Sequence, residues 1–215
     1  MSFTNRVSVI MPVFLGPYSG AASSRDWKFV RSLFSFVNND YHNKELIVCS
    51  DGCDSSQEIY ERHKHNLPNV LFYKIEKQPL FSGKVRQHAL DMSSGNIICY
   101  LDADDELGDT HISSVYQGFS KSDHEFVYWD DFIRKDARTL IKRKTSVELC
   151  KIGTSSIAHK RIFRKAGFRP SWANCHNYGH DWIFIQQMMQ HTQKYGKIKN
   201  CDYQVCHVPH LRYDN

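Results

Sequence analysis

No CxxC pair occurs in this chain of 215 residues, although it holds seven cysteines: Cys49, Cys53, Cys99, Cys150, Cys175, Cys201 and Cys206. An odd, scattered set of thiols on strand-like segments argues against a disulfide framework and predicts reduced cysteines in a cytoplasmic compartment. No stretch approaches the ~20 apolar residues of a membrane-spanning helix, and Met1–Arg6 runs straight into a strand pattern without the apolar region of a signal peptide. Any membrane contact is therefore expected to be peripheral. Internal repeats and low-complexity linkers are also missing, which sets aside disordered, collagen-like and coiled-coil classes. Neither sign of charge dominates, since 28 Lys and Arg against 23 Asp and Glu leave a formal +5. That surplus favours an anionic partner without choosing among a nucleotide, a phosphorylated lipid surface and nucleic acid.

What the chain does have is 41% hydrophobic residues, enough to bury a sizeable core in one folding unit over 1–215. Val7–Val13 is a β-branched run that ends in a Gly/Pro/Ser-rich loop, and Trp27, Val30, Leu33, Phe34 and Val37 recur at helical spacing behind a Ser24/Asp26 cap. Glu45–Cys49 is a second strand, followed by a polar helix over Ser55–Asn66. A strand over Val70–Ile75, a helix over Gly83–Met92 and an apolar strand over Asn96–Leu101 continue the alternation. Strands and helices in turn predict an α/β fold with a mostly parallel central sheet flanked by helices. Beyond Asp109–Phe119, a further helix, the pattern becomes mixed α+β. Strands are expected over Phe126–Trp129, Phe132–Lys144 and Gln204–Val208, and helices over Ile162–Ala166 and Asp181–Gln190. We divide the single domain into a nucleotide-binding half, 1–105, and an acceptor half, 106–215.

The sharpest chemical feature is Cys99-Tyr-Leu-Asp102-Ala-Asp104-Asp105, an apolar strand ending in three carboxylates. Such crowding is self-repelling unless a cation compensates, and a hard divalent ion with oxygen ligands would do so. The plainer alternative is an exposed acidic turn that caps a helix. Asp51 and Asp54 follow the second strand and Pro12 lies near the end of the first, so three βα junctions gather on the carboxyl edge where ligands of such sheets bind. Asp51 could accept from a nucleobase imide or a ribose hydroxyl, or simply form the Asp51-Gly52 turn. Arg134, Lys135, Arg138, Lys142, Arg143 and Lys144, with Ile133, Leu140 and Ile141 between them, read as a hairpin or strand edge that is either a solvated face or a contact for an anionic ligand or surface.

Taken together, Val9-Ile-Met-Pro12, Glu45–Gly52, Gly83–Ala89 with Arg86, Gly95–Asp105, and Ser155–Trp182 with Gly179-His-Asp181-Trp182 resemble the family 2 glycosyltransferases of the GT-A fold. The resemblance implies inverting transfer of a sugar from a nucleoside diphosphate sugar, preferably a UDP-sugar, to a hydroxyl of a glycan, glycoprotein or glycolipid. It places Pro12, Val13, Asp51, Arg86, Asp102 and Ala103 at the nucleotide-sugar, and Asp104 on Mn²⁺ or Mg²⁺ with His207 or His210 as a late ligand. Asp181 takes the general-base position, where a helix N-cap is the plainer role. Trp129, Trp182 and His180 are candidates for the acceptor. The chain departs from the family pattern at Ser50, at Phe14-Leu15 and at His180.

Two readings from other classes compete. A sugar nucleotidyltransferase would use the same sheet edge and metal but release pyrophosphate. A nucleic-acid-binding module would suit the basic balance, yet gives no reason for Asp102, Asp104 and Asp105 at a strand end, and no nucleic-acid partner is expected.

Overall fold

Each apolar run that alternates with a helix in the first half becomes a parallel strand. β1 (Val7–Val13), β2 (Lys44–Asp51), β3 (Val70–Ile75) and β4 (Ile97–Tyr100) are linked through α1 (Arg25–Val37), α2 (Asp54–His63) and α3 (Gly83–Met92). Their order is β4-β1-β2-β3, every neighbouring pair parallel. The computed structural model describes residues 5–18, 21, 24–79, 82–136, 138–167 and 179–206, and of His180 the backbone only.

β1 and β2 are buried at every position because helices cover both faces of the sheet. Alternation along β1 sends Val9, Met11 and Val13 into one core with Phe29, Leu33 and Phe36 of α1. Ile10 joins Ile47, Val85, Ala89 and Ile98 in the other. Burial of side chains of this size stabilises by about 1.5–3 kcal/mol each. At the opposite end of the sheet from the strand C-termini, Glu45 is 2% exposed. Its carboxylate accepts from Ser8 Oγ at 2.5 Å, Ser94 N at 2.6 Å and Gly95 N at 3.2 Å, and pairs with Arg6 at 3.0 Å. Burial works against its charge, but these donors outweigh it and hold its pKa below the ordinary value.

The second half extends this sheet and builds another. β5 (Glu106–Leu107) precedes α4 (His111–Ser120), β6 (Phe126–Tyr128), β7 (Asp131–Arg134) and β8 (Leu140–Arg143). β9 (Ile157–Lys160), α5 (Gly179–His191), β10 (Tyr195–Lys197) and β11 (Tyr203–Val205) complete the order. The large sheet runs β10-β6-β9-β4-β1-β2-β3, with β9 antiparallel to both neighbours, and the small one runs β5-β11-β7-β8.

Several details differ from the expectations. The core stripe of α1 is Phe29, Leu33 and Phe36, while Trp27 is 40% exposed beneath the Arg31 guanidinium at 5.1 Å. The helix is turned so that buried Lys28 reaches the Cys206 carbonyl at 2.7 Å. Ser24 adopts φ 61° and makes no side-chain cap; its carbonyl instead accepts from Lys28 N. The segment expected as a helix near Ile162 is a short 3-10 turn, Arg161–Lys165, because only Phe163 finds a buried place in it. β5, β9 and β10 were not expected: two of them are three residues long or shorter, and all lack the alternation that marks longer strands.

Candidate active site

The carboxyl ends of β1, β2 and β4 meet at one cavity of about 700 Å³. Pro12, Val13, Asp51, Arg86, Asp102, Ala103, Asp104 and Asp181 all line it. The register explains the first part of this gathering: Pro12 sits opposite Cys49 and Ile10 opposite Tyr100, so Val13, Asp51 and Asp102 emerge from adjacent parallel strands at one level. Asp54, one turn later, is outside: its side chain is 80% exposed and pairs with Lys74.

Asp51 is held from both sides, with Gln78 N donating to Oδ1 and Lys77 Nζ to Oδ2, each at 2.6 Å. Gly52 makes this approach possible. It has φ +66°, and a Cβ there would stand 2.7 Å from Lys77 N. Lys77 also lies 4.5 Å above the Phe14 ring. Phe14 stacks with Tyr18 at 6.4 Å, and Arg25 closes the loop by donating to the carbonyls of Phe14, Leu15 and Gly16 at 2.9, 3.1 and 2.8 Å. Sequence reasoning missed Tyr18, Arg25 and Lys77. An aromatic pair just past a strand that ends at a ligand edge was the available signal for Tyr18, and none existed for the cations.

Arg86, 5% exposed, is the electrostatic centre. It donates to Asp102 Oδ1 at 2.5 Å and lies 3.7 Å from Asp181 Oδ1, with Ser82 Oγ as a further partner. Burial disfavours its charge, yet Asp102 and Asp181 outweigh that cost and its pKa is raised. Asp181 lies in the first turn of α5, where the helix dipole favours an anion. Its Oδ2 accepts from both the backbone N–H and the hydroxyl of Thr154 at 3.1 Å. The carboxylate thus reaches across to the Gly153–Ser156 turn.

The three carboxylates after β4 do not share one site. Asp104 lines the cavity, but Asp105 is 3% exposed and points into the small sheet. There Tyr203 Oη donates to Oδ2 at 2.9 Å and Cys206 N to Oδ1 at 2.7 Å, while Asp102 N donates to the same Tyr203 hydroxyl at 3.0 Å. Burial first, then the charges of Asp104 and Asp102, push the Asp105 pKa well above the ordinary range. Among the described residues no group of three or more His, Cys, Asp or Glu forms a metal centre. His207 and His210 lie outside the described residues, as does the His180 side chain. The oxygen donor of Asp104 at a cavity wall still fits a hard divalent cation of the kind bound by one or two carboxylates together with substrate phosphates.

The acceptor expectations are corrected in part. Trp129 is 1% exposed in the core, edge-on to His111 at 5.0 Å, and cannot serve as a stacking platform. Trp182 packs partly buried against the core on the α5 side and is not among the cavity residues.

The sequence model of the family described as "Glycosyl transferase family 2" matches residues 8–192. Over 108 residues the chain is 26% identical to the uncharacterized glycosyltransferase YibD of Escherichia coli K12, covering 50% of this chain and 28% of YibD. Its fold is similar to that of S. aureus TarS 1–349 in complex with UDP, with TM-score 0.73, 15% identity, and 93% of this chain and 60% of that one covered. It is also similar to the mannosyltransferase PcManGT from Pyrobaculum calidifontis in complex with GDP-Man and Mn²⁺, with TM-score 0.68, 16% identity, and 97% and 58% covered. The chain spans less than two thirds of each of these proteins.

Proposed function

The chain belongs to glycosyl transferase family 2, and from that premise we propose that it is an inverting glycosyltransferase using a nucleoside diphosphate sugar, preferably a UDP-sugar, with a glycan, glycoprotein or glycolipid hydroxyl as acceptor. The observation that carries this reading is the meeting of Asp51, Asp102 and Asp104 with Asp181 around one cavity. The apolar wall of Pro12, Val13 and Phe14 suits the flat face of a base, and Asp51 and Asp102 suit acceptance from its imide and from ribose hydroxyls. The TarS complex with UDP supports the choice of nucleotide.

A divalent cation, Mn²⁺ or Mg²⁺, held at Asp104 would supply Lewis acidity to the departing diphosphate. The chain's own residues do the rest. Asp181 takes the proton of the acceptor hydroxyl while that oxygen bonds to the anomeric carbon and the bond to the diphosphate breaks on the opposite side. Thr154 holds Asp181 Oδ2, leaving the carboxylate fixed in direction. Arg86 balances the two carboxylates on its flanks.

The test is calorimetric titration with UDP-, GDP- and dTDP-sugars, each with Mn²⁺ and with chelator, followed by product analysis. Metal-dependent binding of one nucleotide class and release of nucleoside diphosphate are expected, and both effects of metal should vanish in Asp104→Ala. Pyrophosphate release would instead identify a nucleotidyltransferase, and donor binding by Asp104→Ala that stays as metal-dependent as the parent's would remove Asp104 as a ligand.

A further inference from the structure

The β7–β8 hairpin carries a charge that the cavity does not use. From Arg134 to Lys144 there are six cations and one carboxylate, a surplus of five that equals the formal charge of the whole chain. Part of it is spent internally. Arg143 Nε donates to buried Asp131 at 2.7 Å, Arg134 lies 3.6 Å from Glu106, and Lys142 lies 3.4 Å from Asp130. Asp136 Oδ1 accepts from Arg138 N and Thr139 N at 2.8 Å, so the one carboxylate is engaged in closing the turn. Lys135, Arg138 and Lys144 are exposed and form no salt bridge among the described residues, although the neighbouring Asp136 charge acts on Lys135.

β8 is the edge of the small sheet, and all four of its residues are exposed. Lysines alone would guard such an edge against pairing with other strands. Here they flank Leu140 and Ile141, 40% and 41% exposed, which is an open apolar step on an edge strand. A soluble polyanion would need the cations and would leave these two side chains in water. A bilayer uses both, since phosphate headgroups meet the cations and aliphatic side chains enter the boundary below them.

We propose that the β7–β8 hairpin docks the protein on an anionic lipid bilayer through Lys135, Arg138 and Lys144 with Leu140 and Ile141. The side chains that make this contact are exposed on an edge strand and its flanks, so it lies at the bilayer surface. The root of the hairpin adjoins the candidate base, because Asp131 accepts from Ser155 Oγ at 3.0 Å and the next residue back, Thr154, holds Asp181. A lipid-borne acceptor would therefore arrive beside that carboxylate. This last point rests on the transfer reading, whereas the docking does not, and the two can fail separately.

The experiment is sedimentation of the purified full chain with vesicles of phosphatidylcholine alone and with ~30% phosphatidylglycerol, at ~0.1 M salt where surface charges still act over about 10 Å. Binding to the anionic vesicles only is expected. Each cation at an anionic surface contributes about fivefold, so K135Q/R138Q/K144Q should lower the partition coefficient roughly a hundredfold. L140S/I141S should lower it at least about tenfold. Unchanged melting curves, expected for such exposed positions, confirm that both variants fold. No sedimentation of the parent, equal sedimentation with neutral vesicles, or a cation variant within about twofold of the parent would overturn the proposal. Competition by long-chain polyphosphate together with undiminished vesicle binding by L140S/I141S would also overturn it, in favour of a soluble polyanion.

Discussion

The two sides of the cavity are built in different ways. On the side we assign to the donor, Val13, Asp51 and Asp102 are delivered by the backbone, each at or just past the end of a parallel strand whose register is fixed by its neighbours. On the side we assign to the acceptor, Asp181 is held by the backbone N–H and hydroxyl of Thr154 and by Arg86, which stand 27 and 95 residues away in the chain. A position set by a sheet ladder tolerates replacement of its neighbours' side chains. One held from two distant segments depends on both.

The largest effect that would test this contrast is Asp181→Asn, which should cut transfer by at least ~10², the usual contribution of a general base, while leaving the donor Kd nearly unchanged. Parent-like turnover in a single-turnover assay would remove Asp181 from the mechanism. Next in size is a pH effect at strand β9. Buried His159 donates from Nδ1 to Lys160 O at 2.9 Å and accepts from Tyr100 Oη at 2.7 Å, and burial lowers its pKa from 6.5 to about 4. The unfolded chain therefore binds a proton first as pH falls. The stability this provides is complete above pH 6.5 and is lost between 6.5 and about 4, amounting to about 2 kcal/mol between pH 7 and pH 5. Buried His111, lowered to about 3, adds a loss of the same sign, so urea unfolding at the two pH values should show a fall that is smaller by about 2 kcal/mol in His159→Gln than in the parent.

Thr154→Val removes the hydroxyl donor but not the backbone donor to Asp181, so transfer should fall roughly tenfold with the donor Kd unchanged. A matching loss of donor affinity would mean that the two sides are not separable. The smallest effect concerns Lys77, 49% exposed where it pairs with Asp51. Lys77→Ala should lower the unfolding free energy measured in urea by less than about 1 kcal/mol, because a pair open to water contributes little and Gln78 N continues to hold the carboxylate.

The same contrast separates what could be read in the residues from what could not. The four parallel strands and their helices were legible because each buried strand is a continuous apolar run broken by turn residues, and the run also announces where its ligand edge lies. Asp102 and Asp104 were legible for that reason. Asp105 was not distinguishable from them, since only a turn of the chain sends it toward Tyr203 and Cys206. Thr154 was invisible for a similar reason: its partner comes from a helix that begins 25 residues later, and no local pattern records that meeting. Trp129 misled because an aromatic at the end of a strand gives no sign of whether it faces a cavity or the core.

Tyr203 also bears on how the chain can be cut and recombined. Its hydroxyl joins the amide of Asp102 to the carboxyl of Asp105, across a separation of about a hundred residues. A chimaera that grafts residues up to Asp105 onto a relative's second half would keep every donor-side motif and still leave the aspartate turn without its brace. Crossovers that carry β11 along with β4 preserve it, so the inheritable unit is this pair of distant strands rather than either half of the chain.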